Sequence, residues 1–145
     1  MKRIRSPTGL RQKTPSGGDD VILIEHLRKS DIEVITQLGY TIDNYAPSGW
    51  IYVKESINSH IDRNGYCLVY CSSGIGTLVI DDDDEFATLL PNTYTVFDDN
   101  KYHSFKCHTR YVNLMVVGVT ESNPTKDQKV LSLPKIELSK GQLVL

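Results

Sequence analysis

Two stretches of the chain concentrate the residue types that do chemistry. His60-Ile61-Asp62-Arg63-Asn64-Gly65-Tyr66-Cys67 carries an imidazole, a carboxylate and a thiol within eight residues, and Asp98 precedes His103 by five, with Thr95 eight before it. On an extended segment alternate residues share a face. His60 then goes with Asp62, Cys67 with Val69 and Cys71, and His103 with Phe105 and Cys107. If both stretches line one interior, these groups converge, and two chemistries follow. One is a divalent metal held by His60, Asp62, Cys67 and His103, a set suited to Zn²⁺ or Fe²⁺. An open position on that ion would polarise a carbonyl or lower the pKa of bound water. The other is metal-free: His103 acts as general acid or base, Asp62 orients it, and Cys67 is a small buried hydrophobe.

Other residues offer weaker signals. Trp50, Tyr52 and Lys54 share one strand face and could bind substrate as an apolar wall with an anion-binding ammonium, with Thr95 as a further substrate-binding candidate; the alternative for the first three is an outer face with Lys54 in solvent. Arg63 suits bidentate carboxylate binding or an exposed turn. The run Asp81-Asp82-Asp83-Asp84-Glu85 lacks the Gly and distal Glu of a calcium loop, and reads as a solvated hairpin tip. Ser72 to Gly76 is too short for a phosphate loop, and His26 and His108 have no partner at useful spacing.

The elements that must position these groups are mostly strands. Val21 to Ile24 is a short apolar run. Ser30-Asp31-Ile32-Glu33 has the capping-box pattern, and Ile32, Ile35 and Leu38 follow at helical spacing before Gly39, which predicts a helix over 31–38. Beyond it, short aromatic and β-branched runs recur: Trp50 to Ile57, Tyr66 to Tyr70, Gly76 to Ile80, Phe86 to Leu90, Thr93 to Phe97, Tyr102 to Cys107 and Tyr111 to Val119. Turn signals at close spacing separate them, which predicts an all-β sandwich or barrel. Asn123 to Leu145 reads as a closing arm that packs on the barrel or on a partner subunit.

The 145-residue length suits one domain, over 20–145, and no apolar run approaches the roughly 20 residues of a membrane span. The net charge of −2 hides an asymmetry. Lys2, Arg3, Arg5, Arg11 and Lys13 make the first thirteen residues +5, so the remainder carries −7. With Pro7, Gly9, Pro15, Gly17 and Gly18 among them, residues 1–19 read as a flexible basic arm. No aromatic is interleaved with these charges and an acidic body repels phosphate, so neither nucleic acid nor membrane is an expected partner. Three cysteines without a CxxC pair fit reduced thiols, and the basic N-terminus lacks the apolar stretch of a secretory signal, so the expected compartment is the cytoplasm.

The spacing His60-x-Asp62-x4-Cys67-x6-Gly74, with His103 after a later turn, resembles the two motifs of the cupin superfamily. Asp62 and Cys67 stand where that family has its second His and its Glu. Within cupins the stretch Val69-Tyr70-Cys71-Ser72-Ser73-Gly74-Ile75-Gly76 is similar to a segment of ectoine synthases, as are Pro91 to Asp98 and Asn123-Pro124. The resemblance covers roughly residues 60–125. It implies a cupin jelly-roll barrel, a homodimer, and a lyase, cyclase or isomerase step on a small polar metabolite inside the barrel. Ectoine synthases hold iron with a Glu, a Tyr and a His; here those positions read Cys67, Thr95 and His103. Two changed ligands out of three point to a relative with another substrate, not to ectoine synthesis itself. They also keep two further readings open: a non-catalytic small-molecule-binding cupin, and a metal-free sugar-nucleotide isomerase or epimerase.

Overall fold

A computed structural model of the chain describes residues 21–120 and 133–140. Among them run β1 (Val21–Glu25), α1 (Lys29–Gln37), β2 (Gly49–His60), β3 (Tyr66–Ser73), β4 (Gly76–Ile80), β5 (Glu85–Leu89), β6 (Thr93–Asp98), β7 (His103–Val119) and β8 (Ser139–Lys140). The expected all-β, single-domain architecture is what the strands build. No helix of the described residues is long and apolar enough to cross a membrane. The basic arm at 1–19 and the Asn123-Pro124 turn lie outside the described residues.

Strand β7 is the branch point of the sheet. One of its edges pairs with β2 from Gly49↔Val116 to His60↔His103. Its other edge pairs with β4 over Cys107 to His103, then with β3 over Asn113 to Val119. Sequence punctuation predicted two strands here; they form one of 17 residues. The chain stays extended between them because the His108 N–H donates to the Ile75 carbonyl. The irregularity is absorbed as a register shift, Lys54↔Tyr111 followed by Ser56↔Lys106, with Glu55 at φ 67.

Strand alternation sorts the apolar side chains into two cores. Val53, Cys67, Val69, Phe97, Phe105 and Leu114 pack on the barrel's inner side. Leu68, Met115, Val117 and Val119 point the other way, against Ile35 and Leu38 of the helix region. Burial on both faces explains why runs such as Cys67-Leu68-Val69 are apolar throughout.

The helix starts two residues before the expected position. The Asp31 carboxylate, and not Glu33, reaches back: it accepts from the Arg28 N–H at 2.9 Å and from Trp50 Nε1 at 2.8 Å. Arg28 is therefore the N-cap, and Ser30 lies inside the first turn. At the other end the expected stop at Gly39 is seen, with φ 97 and the Gly39→Thr36 and Tyr40→Ile35 hydrogen bonds of a Schellman motif. Residues 133–140 then close the gap between two strand edges. Ile136 N–H donates to the Tyr94 carbonyl on β6, and β8 pairs with Phe86 and Glu85 on β5.

Gly74, between β3 and β4, has φ +86, and a Cβ there would lie 2.3 Å from the Tyr111 carbonyl oxygen and 2.9 Å from Val112 Cα. Both neighbours are backbone, so neither can swing aside. Gly74→Ala is expected to cost about 1–3 kcal/mol in denaturant unfolding; a variant as stable as wild type would contradict this packing.

Candidate metal centre

His60 ends β2 and His103 begins β7, and the two are direct cross-strand partners. Their ring centroids lie 4.4 Å apart. His60 Nδ1 is 2.8 Å from the Asn58 carbonyl oxygen, and His103 Nδ1 is 2.7 Å from that of Lys101. A carbonyl only accepts, so both Nδ1 atoms carry hydrogen and donate. A neutral imidazole fixed this way presents its lone pair at Nε2. Both Nε2 atoms face one atom, Asp62 Oδ2, at 3.2 Å from His103 and 3.4 Å from His60. A carboxylate oxygen also only accepts. With both rings neutral, three acceptors meet, with ligand atoms within 4.8 Å of one another; a proton on Nε2 turns that approach into a hydrogen bond from the ring to Asp62.

The protonation preferences follow from this crowding. Burial pushes the Asp62 carboxyl up, yet hydrogen bonds from His103 and His60 outweigh it and hold it well below the usual carboxylate range. Burial pulls His60 down, but Asp62 and the Asn58 carbonyl outweigh it, leaving its pKa above 6.5. The His103 side chain is buried, with the Phe97 ring edge-on at 4.8 Å. The Asp62 side chain is 44% exposed and opens the cluster to solvent. The acidic β4–β5 turn flanks it as the expected hairpin tip. Asp81 accepts from the Ser59 hydroxyl, Asp82 from the Tyr102 N–H, and Asp83 pairs with Lys101.

Of the residues expected at the site, the fold brings together His60, Asp62 and His103. Cys67 is excluded from this group. It is packed in the inner core, its Sγ meets backbone groups (the Leu68 carbonyl at 3.9 Å and Val117), and burial and the nearby Asp99 and Asp62 charges push its thiol far up. It supplies no thiolate. Thr95 is buried and donates to the Ile136 carbonyl at 2.6 Å, so it ties down the closing segment instead of touching substrate. Trp50, Tyr52 and Lys54 do not line a cavity: Val53 takes the inner face, so its neighbours point outward. Trp50 packs near the helix, Tyr52 stacks on Tyr111 and Lys54 is exposed. The barrel interior expected to hold substrate is filled by apolar side chains. Two surface clefts open elsewhere, about 760 Å³ beside α1 and about 600 Å³ between residues 55–59 and 104–110. Sequence reasoning missed Asp99, visible only as one more turn residue, which is buried and accepts from the Asn64 and Gly65 N–H groups.

No protein-family model matches the chain, and no curated protein matches it. Several solved structures are similar, three of them as follows. The Cupin_2 domain of an XRE family transcriptional regulator from Enterobacter cloacae is 17% identical, with 71% of this chain and 100% of that one covered, at a TM-score of 0.47. An HTH_3 family transcriptional regulator from Vibrio cholerae is 13% identical over 77% of this chain and 57% of its own, at 0.48. Ectoine synthase from P. lautus is 14% identical over 74% of this chain and 80% of its own, at 0.46. The fold described above rests on its own strand pairing.

The pairing of His60 with Asp62 sets a pH window. His60, raised above 6.5, contributes stability that is complete below about that pH and lost as pH climbs through its folded value. Asp62, depressed below 3.8, contributes stability that is complete above that pH and lost as pH falls toward its folded value. In metal-free protein, Asp62→Asn should lower the His60 pKa read by imidazole NMR and remove this part of the stability loss above pH 6.5. A His60 titration indifferent to the substitution would show that the pair does not form in solution.

Proposed function

We propose that the chain binds a divalent metal through His60 Nε2, His103 Nε2 and Asp62 Oδ2, and acts on a small polar metabolite at the barrel mouth. The observation that carries this reading is the aim of both Nε2 lone pairs at one carboxylate oxygen, with both Nδ1 hydrogens committed to backbone carbonyls. That backbone bonding fixes tautomer and ring orientation, as second partners of metal-binding histidines do. The donor set is two nitrogens and an oxygen with no sulfur, which suits Fe²⁺ or Zn²⁺. Three protein ligands leave coordination positions open, the pattern of catalytic sites and not of closed structural ones. The bound ion would polarise a carbonyl or lower the pKa of its water.

The chain's own residues set where the reaction happens. Phe97 and the filled core exclude water and substrate from the inner side. A metabolite approaches across the exposed face of Asp62, which carries charge throughout the neutral range. A lyase, cyclase or isomerase step, with a proton moved beside a carbonyl or amide, fits this open arrangement. A non-catalytic binding module is the second reading, favoured by the filled interior. In a metal-free isomerase, His103 Nε2 and Asp62 would instead exchange the proton.

Elemental analysis of protein purified without chelators tests the metal. We expect stoichiometric Fe or Zn in wild type, lost in a folded His103→Ala, with affinity falling as pH drops through the raised His60 pKa, so that the loss begins above pH 6.5 as protons compete for Nε2. Wild type that takes up no ion, even when Zn²⁺ is added, would overturn this reading.

A further inference from the structure

We infer that Asp99 is the positioning residue of the metal centre, acting through Asp62 and not on the ion. This rests on the metal-binding reading above. The two imidazoles are held by the β2–β7 ladder and by their own backbone carbonyls. Asp62 has neither support: it lies past the end of β2, and its side chain bonds only to the two imidazoles. What fixes its backbone is Asp99, 4% exposed in the β6–β7 turn. The Asp99 carbonyl accepts from the Asp62 and Arg63 N–H groups at 3.1 and 3.2 Å. Its Oδ1 accepts from Asn64 and Gly65 N–H at 2.8 and 2.7 Å, and its own N–H donates to the Gly65 carbonyl at 2.8 Å. Five hydrogen bonds from one residue thus fold the 62–65 loop.

The loop would not hold this shape alone. Arg63 has φ 63 and Gly65 φ 119, and a left-handed Arg is costly unless its surroundings over-determine it. Without the Asp99 carboxylate, two loop N–H groups lose their acceptor and the loop relaxes. The carboxylate that completes the site then drifts while the histidines stay.

Zn²⁺ binding by calorimetry, on the full chain, separates the possibilities. Asp99→Ala should weaken affinity by about tenfold to a hundredfold, while Asp99→Asn, whose amide oxygen can accept the same two N–H bonds, stays close to wild type. The double variant Asp62→Ala/Asp99→Ala should bind no more weakly than Asp62→Ala alone. Wild-type affinity in Asp99→Ala would overturn the proposal. So would an Asp99→Asn as weak as the alanine variant, since that outcome makes the charge and not the bond decisive. A double variant weaker than Asp62→Ala would overturn it too. Should Asp99→Ala not fold, Gly65→Ala strains the same loop with a Cβ that meets nothing within 4 Å, and full affinity there would overturn it. Wild type without Zn²⁺ binding would instead fail the metal reading itself.

Discussion

The pairing of β2 with β7 is the constraint from which the rest of the structure follows. It runs from Gly49↔Val116 to His60↔His103, and its last rung places two imidazoles side by side. Side chains alternate along a strand, so a slip of one residue would turn His103 outward and Phe105 with it. The same slip would expose Phe105, which belongs to the inner core. The site's register is therefore enforced by hydrophobic burial that has no chemical role.

The branching of β7 extends that constraint to both cores. Because one edge serves β2 on both sides of the 107–110 irregularity while the other serves β4 and then β3, the strand belongs to two diverging parts of the sheet. Its residues feed the inner core through Val112 and Leu114 and the helix-side core through Met115 and Val117. Residues 133–140 bridge the edges of β6 and β5 that remain, anchored by Thr95 and Tyr94. A buried threonine hydroxyl at that position makes sense as an anchor for a closing strap, not as a remnant ligand.

What was legible in the sequence is what depends on local periodicity. The succession of short strands depends on two or three consecutive residues and is seen in the fold, whereas Asp62 meets His60 from the loop beyond β2 and not from a shared strand face. Cys67 was misread because spacing reports position along a strand and not depth. Its place in the motif is kept, while packing against Phe97 and its neighbours puts the thiol in the core. Trp50 and Tyr52 failed for a related reason: alternation gives two faces but not which is inner, and Ile51 and Val53 decide it. The helix start moved because Trp50, nineteen residues away, shares the Asp31 carboxylate with the cap. Asp99 was invisible because its role is a set of backbone bonds to a loop more than thirty residues earlier.

The charge balance at the triad is the physical argument behind the metal-binding reading proposed above. One proton between Asp62 and one imidazole leaves the other lone pair against the same oxygen. Two protons satisfy both bonds, but set two cations with ring centroids 4.4 Å apart around a single carboxylate. Their repulsion is strongest where water is excluded, and His103 is buried. Around them the exposed carboxylates of Asp81, Asp82 and Asp84 add negative potential, and the nearby ammonium of Lys101 is already engaged by Asp83. On the metal-binding reading proposed above, a divalent ion would supply the same positive charge at one point to His60, Asp62 and His103. Such an ion would need no cavity beneath it, which reconciles a polar centre with a barrel filled by apolar side chains.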